Sequence, residues 1–255
     1  VPRRVLGKTG VKVPVLGLGG GFNAVDNQMI LRKAYQFGVT YWDTAHIYSG
    51  GNNELGIGKF LGQFPQIRKD LFIVTKASGA RTVADVEKRL QTSLRRMNTN
   101  YIDVYYGVHA LNDPDKLTDE LRDWAAEAIK RGVIRYFGFS THRNMPECLK
   151  AAAQTDWIDV IMTSYNFRYF EDSEMQEAVE ACKKAGIGLV AMKTQAYKAK
   201  EEKPEDMQKF MDSGYTAGQA KIKGVLEDSR FCTACVGRGS IEHLNLNIAA
   251  VMDKT

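Results

Sequence analysis

Eight short apolar runs, each followed by a stretch with helical periodicity, constrain this chain more than any other feature. The runs fall at residues 15–19, 40–45, 71–76, 102–109, 136–140, 160–164, 188–193 and 232–236. Most are nearly continuous in apolar and β-branched residues, the pattern of strands covered on both faces. Between them apolar residues recur every three or four positions. Val83, Val86, Leu90, Leu94 and Met97 form one such stripe, and Leu117, Leu121, Trp124, Ala128 and Ile129 another. Thr82 with Asp85 in the first turn reads as a helix start, while Gly38, Gly132 and Gly186 stand where helices stop. Eight strand–helix units predict an α/β fold, a closed (β/α)8 TIM barrel, and 255 residues is close to the usual length for one. Arg3 to Gly7, the turn Lys8-Thr9-Gly10 and Val11 to Pro14 predict an N-terminal β-hairpin ahead of it. Residues 199–227 are polar and contain Pro204 and Gly214; a lid-like loop followed by a helix is expected there. No low-complexity stretch or long linker divides the chain, so one barrel domain over 1–255 is expected.

Composition narrows the function classes. A net charge of +5, with acids and bases evenly mixed, argues against a nucleic-acid surface. No apolar run approaches the ~20 residues that a membrane-spanning helix needs. Four cysteines (Cys148, Cys182, Cys232, Cys235) are too few and scattered for a disulfide framework. Cys232 and Cys235 have C-x-x-C spacing, but they lie in an apolar strand run, where positions three apart face opposite sides. No second cysteine or histidine pair completes a ligand set, so no metal is expected. The lack of an exposed apolar stripe favours a monomer. Because the sequence opens at Val1 and not Met, export with a leader removed before it stays open beside a cytoplasmic location.

In parallel barrels the chemistry sits on the loops that follow the strands. Four residues fall there. Asp43 ends the second run, and Tyr48 follows five residues later, ahead of Ser49-Gly50-Gly51-Asn52. Lys76 closes the third run and His109 the fourth. A phenol is a poor acid, with an ordinary pKa of about 10, and becomes a useful donor when a nearby cation stabilises its phenolate. Lys76 is that cation in this reading. Each residue also has an ordinary reading: Asp43 a loop cap, Tyr48 a surface aromatic, Lys76 a solvated strand end, His109 a structural donor. A single site accounts for all four placements at once. Gly17-Leu18-Gly19-Gly20-Gly21-Phe22 lacks the final glycine of the dinucleotide fingerprint, and is expected to let backbone approach the floor of the site.

The order and spacing of Asp43-Thr44-Ala45-x-x-Tyr48, Asn53-Glu54-x-x-x-Gly58, Thr75-Lys76 and His109 resemble the aldo-keto reductase family. The resemblance covers essentially the whole chain. It continues in Gly138-Phe139-Ser140, in Ser164-Tyr165-Asn166, in Gly237 and Asn247, and in the hairpin, which plugs the barrel bottom in that family. It implies an oxidoreductase that reduces the aldehyde or ketone of a small-molecule carbonyl substrate to an alcohol. The hydride would come from NADPH, with NADH as the other candidate cofactor. Tyr48 would be the proton donor, Lys76 paired with Asp43 would lower its pKa, and His109 would orient the carbonyl. The implied cofactor contacts are Ser140, Thr141, Met162, Met192, Lys193, Thr194, Gly237, Arg238, Ser240 and Asn247.

Several of these depart from the family pattern. Thr141 stands for an asparagine, Met162 for a glutamine, and Met192 for an aromatic residue that stacks on the nicotinamide. A thioether can cover a flat ring through polarizable contacts. Gly239 stands for the arginine that meets a 2′-phosphate, with Arg238 one residue earlier. Two other readings compete. One is a nucleotide-binding regulatory protein on the same fold with little turnover. The other is an aldolase using Lys76 as a Schiff base, which leaves Tyr48, Asp43 and the Gly237 loop unexplained. The loops look short for the family, which implies an open site and broad aldehyde acceptance.

Overall fold

The computed structural model describes residues 1–196, 205–237 and 239–252. Strands β1 (Arg3–Val5) and β2 (Lys12–Pro14) pair antiparallel, with Arg4 opposite Val13. The main fold opens with β3 (Leu16–Gly19), α1 (Gln28–Gln36), β4 (Tyr41–Asp43), α2 (Asn52–Gln63), β5 (Phe72–Lys76) and α3 (Val83–Arg96). It continues through β6 (Ile102–Leu111), α4 (Asp119–Lys130), β7 (Ile134–Thr141), α5 (Met145–Ala153), β8 (Val160–Ser164) and α6 (Ser173–Lys184). Last come β9 (Gly188–Met192), α7 (Gln208–Asp212), α8 (Ala217–Glu227), β10 (Phe231–Val236) and α9 (Ile241–Val251).

Strands β3 to β10 form a closed parallel barrel in the order β10-β3-β4-β5-β6-β7-β8-β9. It closes between β10 and β3, where Cys235 pairs with Gly17. All eight expected strands are present. The barrel is a packed core: Tyr41, Phe72, Val74, Val104, Tyr106, Val160, Met162 and Val190 fill it. Leu6 and Val13 of the hairpin join the same cluster, both fully buried, so the hairpin plugs one end. The Arg4 guanidinium holds it there, donating to the carbonyls of Leu226 at 2.6 Å and Phe231 at 2.9 Å.

A second apolar cluster joins the strands to the helices. Helix α3 illustrates how local sequence aims a helix at it. The Thr82 hydroxyl accepts from the Asp85 amide, and the Asp85 carboxylate accepts from the Thr82 amide, both at 3.1 Å. This reciprocal cap satisfies two amides that the first turn leaves unpaired. Val86, Leu90 and Leu94 then share the buried face.

The structure corrects two expectations. Strand β6 runs two residues past His109, because its register with β7 breaks between Tyr106 and Val108 and again before Leu111. Ala110 at that break has a left-handed φ of 65°. Cys232 and Cys235 do not face opposite sides. A break in register between Phe231 and Thr233 shifts the alternation, and both side chains join the cluster inside the barrel. Both thiols are free and buried. Among the described residues, no group of three His, Cys, Asp or Glu side chains could hold a metal ion. Part of the lid-like loop expected in 199–227 lies outside the described residues. From Glu205 onward the segment is a 3-10 turn, then α7 and α8. None of the described helices is long and apolar enough to cross a membrane.

Candidate active site

The ends of β4 and β5 lie side by side, and their last residues form the floor of the site. The Lys76 ammonium donates to Asp43 Oδ1 at 2.5 Å and to the Thr44 carbonyl at 2.8 Å. Both charges are almost fully enclosed, at 1% and 4% exposure. An unpaired charge in such a place would be strongly destabilising, so each requires the other. Burial would push the Lys76 ammonium down, but the Asp43 carboxylate and the Tyr48 phenol outweigh it and hold the lysine above its ordinary value. Lys76 is therefore a fixed cation.

The loop after β4 is strapped over that cation. The Thr44 amide donates to Val74, the His46 amide to Lys76 and the Tyr48 amide to Ala45. The backbone then turns through three left-handed residues, Ser49, Gly50 and Gly51, into α2. These bonds place the Lys76 ammonium 4.9 Å from the centre of the Tyr48 ring. Lys76 is the largest influence on the phenol and pulls its pKa down. Burial, with Asp43 and Cys235, outweighs that pull and holds Tyr48 above its ordinary 10. The expectation of a net lowering is thus corrected, and the phenol keeps its proton across the neutral range.

His109 meets Tyr48 edge-on, with ring centres 6.2 Å apart. Its aim follows from the break in β6, as irregular strand positions often re-aim a side chain beside a site. The Ala110 amide donates to Ser140 Oγ at 3.1 Å, which pins the break to β7. Burial first, then Lys76 and His142, lowers the His109 pKa to about 4, so the imidazole is neutral.

Two glycines are required by close approach. A Cβ on Gly20 would lie 2.5 Å from the Asp43 carbonyl, as the expected approach of the glycine run to the floor demands. One on Gly58 would lie 2.0 Å from the Arg96 carbonyl, because α2 packs directly on the end of α3. Glu54, whose sequence signal is its place in Asn53-Glu54-x-x-x-Gly58, is fully buried. It accepts from Thr75 at 2.7 Å and from Arg96 at 3.1 Å, tying α2 to β5 and α3.

Above the floor lies a cavity of about 570 Å³, whose lining includes Gly20, Asp43, Tyr48, Met162, Met192 and Gly237. Lys193 and Thr194 also line it. A second cavity of about 310 Å³, lined by Lys221, His243 and Asn247, shares Gln195 with the first. Ser240 caps α9, accepting from the His243 amide at 3.1 Å. Arg238 lies outside the described residues. Ser140 and Thr141 line neither cavity. Ser140 holds the Ala110 amide, and the Thr141 hydroxyl donates to the carbonyls of Leu111 and Arg143. Sequence reasoning passed over Ser78, whose hydroxyl lies 2.7 Å from His109 Nδ1, and gave no role to Ser164, which lines the larger cavity, beyond its place in Ser164-Tyr165-Asn166. Each is a polar residue at a strand exit, the signal that could have found it.

A parallel barrel with a buried ion pair beneath a phenol at its C-terminal mouth defines a class of enzyme scaffold, and comparison with known proteins narrows it. Residues 15–246 match the Aldo/keto reductase family. The aldo-keto reductase yakc [NADP(+)] of Schizosaccharomyces pombe is 27% identical, over 80% of this chain and 66% of its own length. The chain spans about three fifths of the length of several curated relatives that it matches. Among solved structures, aldo-keto reductase AKR11C1 from Bacillus halodurans in its holo form superimposes with a TM-score of 0.80 at 25% identity, over 99% of this chain and 91% of that one. The thermostable aldo-keto reductase Tm1743, in complex with the inhibitor epalrestat, is 30% identical with a TM-score of 0.78, over 100% and 96%. The chain belongs to the aldo/keto reductase family.

Proposed function

We propose that this chain, as one barrel domain, reduces the carbonyl group of small aldehydes or ketones with a nicotinamide cofactor, NADPH in preference to NADH. The observation that carries the proposal is the buried Lys76–Asp43 pair fixed beneath the Tyr48 ring. A structural ion pair has no need of a phenol strapped above it at the mouth of a cavity.

The residues present fit the cofactor. Two neighbouring cavities that share Gln195 in their linings offer room for the two ends of a dinucleotide. At the inner end the hydroxyls of Ser164 and Thr194 are buried and have no hydrogen-bond partner among the described residues. Orphaned hydroxyls of this kind are costly unless a ligand group answers them. Met162 and Met192 offer polarizable cover for a flat ring. At the outer end Lys221 and His243 stand beside Asn247, and no acid lines that cavity, which favours the additional phosphate of NADPH. The S. pombe relative is named for NADP(+).

When bound, the cofactor would supply hydride to the carbonyl carbon. Tyr48 would give its proton to the carbonyl oxygen as negative charge develops there. An alkoxide is a far stronger base than a phenolate, so the transfer runs downhill even from a phenol held above its ordinary value. Lys76 would stabilise the phenolate left behind, and Asp43 would keep Lys76 charged and in place. Neutral His109 would orient the oxygen. Binding of NADPH followed by its oxidation with a reactive aldehyde tests the proposal. Binding without turnover across aldehydes and ketones would instead indicate a nucleotide-sensing protein.

A further inference from the structure

Ser78 follows Lys76 by two residues, just past the end of β5, and is 6% exposed. Its amide donates to the Lys76 carbonyl at 2.9 Å, so its position is set by the same strand end that carries the lysine. Its hydroxyl lies 2.7 Å from His109 Nδ1, a short contact for an oxygen–nitrogen pair. Nε2, on the other edge of the ring, has no hydrogen-bond partner among the described residues. We propose that Ser78 is a positioning residue that donates its hydroxyl proton to His109 Nδ1, and so holds the neutral imidazole in the tautomer with its proton on Nε2.

The chemistry follows from the inventory of donors. A neutral imidazole carries one N–H and one lone pair, and the bond made by one nitrogen fixes what the other presents. With the hydroxyl donating to Nδ1, Nε2 carries the hydrogen and can donate to a carbonyl oxygen. With the opposite tautomer, Nε2 would turn a lone pair toward that oxygen and repel it. The hydroxyl has no other acceptor among the described residues, so donating to Nδ1 also satisfies its own buried proton. Carbonyl reduction needs the donor and not the lone pair. The inference rests on the proposed function for its consequence, but the tautomer itself is a property of the protein without substrate.

The test has two arms that fail separately. Long-range ¹H–¹⁵N correlation spectra at neutral pH distinguish the two neutral tautomers. The chain has four histidines, and the set lost in His109→Gln identifies the one of interest. The expected result is the Nε2–H form in the wild type, a mixture of tautomers in Ser78→Ala, and recovery of the Nε2–H form in Ser78→Thr. In parallel, Ser78→Ala should lower kcat for aldehyde reduction by about fivefold to tenfold, the scale of one hydrogen bond, with NADPH affinity unchanged and Ser78→Thr restoring the rate. A wild-type Nδ1–H form, or an unaltered tautomer in Ser78→Ala, would overturn the assignment to Ser78 whether or not the enzyme turns over. Full reductase activity in Tyr48→Phe would overturn the proposed function and leave the spectroscopic result standing.

Discussion

The Lys76 ammonium and the Asp43 carboxylate lie 2.5 Å apart in a floor that leaves them 1% and 4% exposed. Removing one partner leaves an uncompensated buried charge, which costs about 3–5 kcal/mol. Lys76→Met and Asp43→Leu should each lower the urea midpoint accordingly, while the double substitution should recover most of the loss. All three proteins should be inactive. Independent, additive losses in the double variant would mean that the pair is not coupled.

His109 offers a pH prediction. Its folded pKa of about 4 lies below the ordinary 6.5, through burial first and then the nearby Lys76 and His142. Protonation therefore favours the unfolded chain. The contribution to stability is complete above the ordinary value and is lost as pH falls through the folded one. Reductase activity should stay level on the acid side until pH nears about 4, because the imidazole remains neutral down to that point. An inflection near the ordinary histidine value, absent in His109→Gln, would contradict the enclosure of this ring.

Gly58 supports the site through packing alone. Gly58→Ala would place a methyl group 2.0 Å from the Arg96 carbonyl and force α2 away from α3. Overpacking of this kind costs about 1–3 kcal/mol. Since α2 follows directly from the loop carrying Tyr48, kcat should fall along with the thermal midpoint. A variant as stable as the wild type would show that the helices have more room than their spacing allows.

All four cysteines are buried and free, and burial raises their thiols, Cys182 to about 12. A thiolate is the reactive form, so a water-soluble disulfide reagent should label none of them in the folded protein and all four after denaturation. Rapid labelling of Cys235, the one that lines the larger cavity, would show the barrel interior to be more open than its packing indicates.

Much of this was legible in the sequence, and the exceptions share a cause. Near-continuous apolar runs located every barrel strand, because each is covered on both faces. Asp43, Tyr48, Lys76 and His109 could be picked out because polar residues at strand exits interrupt that pattern. Periodicity assumes an unbroken pleat, however. It could not reveal the break that carries β6 to Leu111, or the one that turns Cys232 and Cys235 to the same side. The hydroxyls of Ser140 and Thr141, which resemblance suggests as cofactor contacts, also bond within the fold, while those of Ser164 and Thr194 have no partner among the described residues. A hydroxyl's partner depends on which backbone atoms the tertiary structure brings near, and one-dimensional spacing does not carry that.

The most direct measurement is the steady-state oxidation of NADPH with a reactive aldehyde, in wild type and in Tyr48→Phe, with cofactor binding followed by protein fluorescence in both. The account predicts equal NADPH affinity and a rate about 10²–10⁴-fold lower in the variant, the usual worth of a positioned general acid. Undiminished turnover without the phenolic hydroxyl would contradict it.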